Sequence, residues 1–219
     1  MVIFATSQAR AAAMFVILCL AASACVAKKP VADTSDSHRP EYVAAANELR
    51  KLAEEGNITA QHGLGLLYQA GRGVPQSHGQ AKRWFEEAAR QGHADAQVTL
   101  GTSYLHGNAA PQSSQMAMYW FDRAAEQGHV AAFANLGAMY AEAQGVPEDL
   151  IKAYTWFFLA AESGDETSAH RRDLLAAKMN PAQIARGQER AHAWKPTSKS
   201  VAWKLFTSST SVPPDDSPR

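Results

Sequence analysis

The chain lacks most of the features that would mark it as an enzyme, a nucleic-acid binder or a membrane-spanning protein. Its two cysteines, Cys19 and Cys25, both lie in the first 25 residues. Everything beyond them is without a disulfide framework or a cysteine metal site. Neither sign of charge is in excess, with Lys plus Arg and Asp plus Glu at 21 each. That balance, and the absence of Lys/Arg runs, argues against a nucleic acid or an anionic surface as partner. No apolar run approaches the roughly 20 residues needed to cross a bilayer. The leader's apolar run, Ala11 to Leu20, has ten. Nothing resembles H-E-x-x-H, a G-x-S-x-G nucleophile elbow or a phosphate loop. Gly71-Arg72-Gly73 is not followed by Lys-Ser/Thr. The composition carries no positive sign of catalysis, a cofactor or a metal.

What is present begins with an address. Met1 to Arg10 is a short leader with one basic residue, followed by the ten-residue apolar run and then Ala21-Ala22-Ser23-Ala24-Cys25. Small residues running into Cys resemble the bacterial lipobox, which implies cleavage after residue 24 and a lipid on Cys25. Ala22 stands where Leu is usual, and Ala22-Ser23-Ala24 also reads as an ordinary A-x-A cleavage site. A secreted chain and an uncleaved anchor are therefore alternatives. Cleavage before Cys25 leaves 20 basic and 21 acidic side chains. Val26 in place of the Asp associated with inner-membrane retention favours the outer membrane. The expected location is the bacterial cell envelope, as an outer-membrane lipoprotein or a periplasmic protein, or else secreted.

Residues 25–40 are polar with two prolines and read as a tether. Helical periodicity begins with Tyr42, Ala45, Ala46, Leu49, Leu52 and Ala53, and Gly56 closes the helix. Three ungapped segments then follow, 58–93, 94–129 and 130–165, with 11 of 36 positions identical in all three. Leu64-Gly65 returns as Leu100-Gly101 and Leu136-Gly137, and Trp84-Phe85 as Trp120-Phe121 and Trp156-Phe157. Tyr68, Pro75, Ala88-Ala89 and Gly92 recur in the same way. Self-similarity at this period is the signature of a solenoid.

Each segment predicts two helices. Ala60, Leu64 and Tyr68 share one face of the first. Ser77, Ser113 and Asp149 are N-caps of the second, with a capping box expected between Ser77 and Gln80. Residues 41–57 read as the second helix of a preceding half-unit. Residues 166–195 read as a diverged capping pair, with Leu174 and Leu175 on its apolar side and a restart at Asn180-Pro181. Residues 196–219 hold 13 Ser, Thr or Pro and read as a disordered tail, interrupted by Val201 to Phe206.

The pattern A-x-x-x-L-G-x-x-Y-x-x-G-x-G-V-P, then A-x-x-W-F-x-x-A-A-x-x-G, resembles the Sel-1-like repeat, a relative of the tetratricopeptide repeat. In the first unit the match is carried by Ala60, Leu64, Gly65, Tyr68, Gly71, Gly73, Val74, Pro75, Ala81, Trp84, Ala88, Ala89 and Gly92. The inter-helix loop departs from it at Asn108-Ala109-Ala110 and at Ala143. The resemblance implies an all-α, right-handed α/α solenoid of three full repeats between a half-unit and a cap. It also implies a non-catalytic scaffold or adaptor for a protein or peptide, with no nucleic acid and no membrane contact beyond a lipid on Cys25. An envelope enzyme acting on peptidoglycan or a β-lactam is one alternative, and a passive structural lipoprotein is another.

The Trp-Phe stripe is expected to be core rather than a ligand groove. His93 and His129, following the glycine stops, are expected to be exposed loop residues rather than metal ligands. In stacked helix pairs the first helices line the concave side, where peptides lie. First-helix positions that vary among the units are thus the candidate partner-binding residues: His62, Gln69, Thr102, Ser103, His106, Asn135 and Glu142.

Overall fold

The structure is a computed structural model that describes residues 37, 39–108 and 111–196. The leader, Cys25, the tether up to residue 36, Ala109-Ala110 and the tail from residue 197 lie outside the described residues. Among those described there are helices and no strands. The helices are α1 (Pro40–Glu54), α2 (Ile58–Ala70), α3 (His78–Arg90), α4 (Ala94–His106), α5 (Ser114–Ala125), α6 (Val130–Ala141), α7 (Leu150–Glu162), α8 (Glu166–Ala176) and α9 (Pro181–Ala193). They form two compact units, one holding α1–α4 and the other α5–α9.

Local chemistry sets the helix boundaries. The side chains of Ser77, Ser113 and Asp149 accept from the backbone N–H groups of Gln80, Met116 and Lys152, so the expected caps are present. Only half of the expected Ser77–Gln80 box forms. The complete box is at Asn180, whose side chain accepts from Gln183 N while the Gln183 side chain accepts from Asn180 N, each at 2.9 Å. Gly71 (φ 67°) and Gly107 (φ 71°) end α2 and α4 in the left-handed region. The equivalent residue after α6, Ala143, takes the same conformation at φ 54° without being glycine. The substitution therefore leaves this loop's geometry in place and adds strain to it.

In the first unit α2 packs between α1 and α3. Ala46, Leu49, Ala53, Ala60, Leu64, Leu67 and Val74 form its core, with Leu52, Tyr68 and Trp84 at the margin. Two buried amides serve the backbone. Gln61 Nε2 donates to Ala53 O (3.2 Å) at the end of α1, and Gln97 Nε2 donates to Ala89 O (3.0 Å) at the end of α3. Ala53 O and Ala89 O already accept from Gly56 N and Gly92 N, so each amide adds a second bond there and satisfies its own buried N–H, which would cost about 1–3 kcal/mol if left unpaired. Gly73 comes so close to α1 that a Cβ would lie 2.1 Å from Tyr42 O. In the second unit Gly145 meets Ser114 of α5 at the same register. Thus α1 takes the place that a second helix takes in a full repeat.

In the second unit α7 is the hub, with α6, α8 and α9 all packed against it. Ala153, Tyr154, Phe157, Leu175 and Met179 form the core. Where α3 carries Lys82, Arg83 and Glu86 on its outer face, α7 carries Tyr154, Thr155 and Phe158. That face is apolar because α9 covers it. Gly187 lets α9 sit down on the Tyr154 ring, the Thr155 hydroxyl lies 3.3 Å from Gly187 O while it donates to Ile151 O (2.7 Å), and the His192 ring meets Phe158 edge-on at 5.4 Å. So α9 folds back on α7 instead of pairing with α8. The reason is visible in α8. Where every full repeat has Leu-Gly to receive a second helix, α8 has Arg172-Asp173, ion-paired at 2.8 Å. Only one of its two leucines is buried. Leu175 is 8% exposed and Leu174 is 55% exposed, which corrects the expectation that both face the core.

Candidate interaction surface on the first helices

The Trp-Phe stripe divides on inspection. Phe85, Phe121 and Phe157 are all buried at 2% exposure or less. Trp84 and Trp156 are half-buried at the margins. Trp156 belongs to an aromatic cluster with Phe133 (5.8 Å, stacked) and Trp194 (6.5 Å, edge-on). Phe133 stands at the position of the buried Gln61 and Gln97, so one repeat replaces an amide hydrogen bond by aromatic packing.

The first helices place their polar side chains in repeating rows. On α4 the row is Asp95, Thr99, Thr102, Ser103 and His106, opposite the buried Ala96, Leu100 and Gly101. Thr99 Oγ1 donates to Asp95 O and Ser103 Oγ to Thr99 O, each at 2.8 Å. The hydroxyl protons are committed to the helix, and the oxygen lone pairs face outward as acceptors. His106 is exposed in the last turn, and Thr102 and Ser103 are half-buried. Gln69 is exposed at the end of α2, where its carbonyl accepts from Gln76 Nε2 (2.9 Å).

His62 stands apart from that row. Its ring stacks on His93 at 4.6 Å and tilts against Phe85 at 5.6 Å. Burial, then the neighbouring His93, lowers its pKa to about 4, against a smaller opposing pull from Asp95. At neutral pH it is an uncharged packing residue of the first unit. His93 itself is half-buried, and its Nδ1 accepts from Ala96 N (3.4 Å) as the N-cap of α4. His129 holds the corresponding position before α6 and is also half-buried. Both depart from the expectation of exposed loop residues, because a residue after the glycine stop of one helix is also the N-cap of the next.

In the second unit Asn135 lies on α6 and Glu142, seven residues on, is the residue that caps its C-terminus. Asn135 is half-buried, and its Nδ2 donates to Ala131 O (2.7 Å). It lines an open depression of about 460 Å³ with His129, Val130, Ala131, Ala134, Ser163, Gly164 and Asp165. Glu142 is exposed and accepts from Gln144 Nε2 (2.7 Å). The seven candidates therefore fall into one set on α2 and α4 and another on α6, each within its own unit. Sequence comparison passed over Asp95 and Thr99, which complete the α4 row. Their signal was the i, i+4 spacing to Ser103.

The most perturbed acid is Asp122 on α5, half-buried, with its pKa raised to about 7 by burial and then by Glu126. Across from it Tyr140 of α6 is raised to about 12 by burial, Asp122 and Asp149. The Lys152 ammonium lies 4.8 Å from the Tyr140 ring. No group of three or more His, Cys, Asp or Glu among the described residues could hold a metal ion.

These features define a class: an all-α protein of helix pairs repeated in register, with packing at the shared positions and polar variation on the first helices. The particular repeat is identified by comparison. Residues 58–93, 94–129 and 131–165 match the model of the Sel1 repeat, and the helical fold is that of an α/α solenoid of such repeats. A Sel1 repeat protein from Oxalobacter formigenes has a similar structure, with TM-score 0.60 and 28% identity over 68% of this chain and 62% of that one. A second is c5321 of uropathogenic Escherichia coli, described as a protective antigen displaying an SLR fold. It has TM-score 0.53 and 24% identity over 81% of this chain and 46% of that one, and shows the fold alone. The chain thus spans less than two thirds of either structure's length. No curated protein matches it significantly. Sel1 repeats generally mediate protein–protein interactions.

Proposed function

We propose that this protein is a non-catalytic interaction scaffold of the bacterial cell envelope that binds a protein or peptide on its first-helix face. The observation that carries the reading is the division of labour within the repeat. Leu64, Gly65, Phe85 and Ala88 and their equivalents recur unchanged and are consumed by packing. The rows holding Thr102, Ser103 and His106 on α4, and Asn135 and Glu142 on α6, differ from repeat to repeat and carry hydrogen-bonding groups. Such a surface offers directional recognition without a deep pocket. The leader ending at Cys25 supports an envelope location, with a lipid on Cys25 as the anchor.

Crosslinking and affinity capture from native envelopes tests the scaffold. Substitution of His106 and Glu142 should weaken capture with the melting temperature unchanged. Capture that is indifferent to a panel of such variants would sink the first-helix face. Cys25→Ser should release the protein from membranes if the anchor is a lipid.

A further inference from the structure

On α8 the register that holds Asn135 and Glu142 one repeat earlier takes on a different chemistry. On α8, Thr167, His170, Arg171 and Leu174 fall within one stripe, and Lys178 continues it into the following turn; all five are exposed. Leu174 is the exposed large hydrophobic side chain among the described residues; His170 stands at i−4, and the cations Arg171 and Lys178 stand at i−3 and i+4. The Arg171 guanidinium rests 5.8 Å from the ring centroid of the buried Phe157, which fixes one of those cations in place. Among the described residues no carboxylate pairs with Arg171 or Lys178, whereas Arg172 is taken by Asp173. Charge is sorted on a larger scale as well. Residues 113–165 hold seven acidic and two basic side chains, and residues 166–196 hold three acidic and six basic.

An apolar centre inside a rim of uncommitted cations is complementary to a segment with one large apolar side chain among carboxylates. The Arg172-Asp173 pair, where a further repeat would need Leu-Gly, disfavours another copy stacking on this end. We propose that the exposed face of α8 docks an acidic peptide segment of a protein partner, with one apolar side chain against Leu174 and its carboxylates on Arg171 and Lys178. The proposal rests on the scaffold reading and adds to it a surface and a partner chemistry.

Fluorescence anisotropy with the full chain and a labelled peptide tests it, the peptide having glutamates on both sides of a central Phe. Saturable binding is expected, falling with added salt. It should weaken about tenfold or more in R171E/K178E and several-fold in Leu174→Ser. Lys178→Glu alone, placed beyond the helix, keeps the test valid should loss of the Arg171–Phe157 contact disturb folding. Equal binding by the reversal variants, equal binding of a lysine peptide, self-association that occupies the face, or a preference for anionic vesicles over the peptide would each overturn the proposal. Envelope capture separates the two levels. A partner held equally by wild type and R171E/K178E overturns this surface and leaves the scaffold standing. No partner captured by wild type refutes the scaffold itself.

Discussion

Gly65 on α2 lies under the ring of Phe85 on α3, so close that a Cβ would sit 2.6 Å from ring carbon Cε1. Gly137 and Phe157 repeat the relationship at 2.7 Å. The contact explains a glycine in mid-helix, where Ala is ordinarily favoured by about 1 kcal/mol. Phe85 is 2% exposed and has no room to yield. Overpacking of this kind costs about 1–3 kcal/mol, which outweighs the propensity gain. Gly65→Ala is therefore expected to lower stability in urea melts, and Phe85→Leu in the same background to recover part of the loss.

Ala143 is expected to respond in the opposite sense. It is exposed and held at φ 54°, where its counterparts are Gly71 and Gly107. An L side chain in this region costs about 1–2 kcal/mol, against the smaller loss from a more flexible unfolded glycine. Ala143→Gly should stabilise by about 0.5–1 kcal/mol, read as a rise of a few degrees in Tm.

The difference between these two glycine positions shows what the sequence made legible. Repeat period, caps, glycine stops and the buried Phe row follow from local rules applied in register, and the structure has each of them. The fate of residues 166–195 was harder to read, because it depends on substitutions at two distant faces. Arg172-Asp173 removes the seat for a second helix, and Tyr154 and Phe158 create another one on α7. Either change alone looks like drift. Together they send α9 to a different partner. His62 carries a related lesson: its position varies among repeats, yet its ring stacks on His93, 31 positions later. Variation marks a polar row only where tertiary contacts leave the position open.

Acid should loosen the first unit through His62. Its pKa near 4 lies below the unfolded value of 6.5, so the unfolded state binds the proton first. The stabilisation is complete above pH 6.5 and is lost as pH falls from 6.5 towards 4, an effect on the order of 2–3 kcal/mol. His62→Gln should flatten the dependence of Tm on pH over that window. An unchanged slope would show that His62 is not the group responsible.

Asp122 should act on the other side of neutrality. Its pKa near 7 lies above the ordinary carboxylate value of 3.8, so the folded state holds the proton longer. Stability from this group is present at low pH and is lost as pH rises from 3.8 through 7. Asp122→Asn keeps the shape and removes the buried charge. It should raise Tm at pH 8 and change it little at pH 4, and a uniform shift at both would point to packing instead of ionisation.

The charged end of α8 gives the last test. Arg172-Asp173 occupies the place of Leu64-Gly65, whose Leu is wholly buried and whose Gly receives a Phe ring. Restoring that pair in R172L/D173G removes the ion pair and rebuilds an apolar seat with no helix to fill it, since α9 is engaged by Tyr154, Thr155 and Phe158. An open apolar seat at the end of a repeat array recruits another chain, because each repeat leaves one face for its neighbour. Sedimentation should therefore show concentration-dependent self-association in the double variant and less of it in the wild type. If the variant stays as monodisperse as the wild type, the charged pair is not what ends the array, and the docking of α9 on α7 alone must do so.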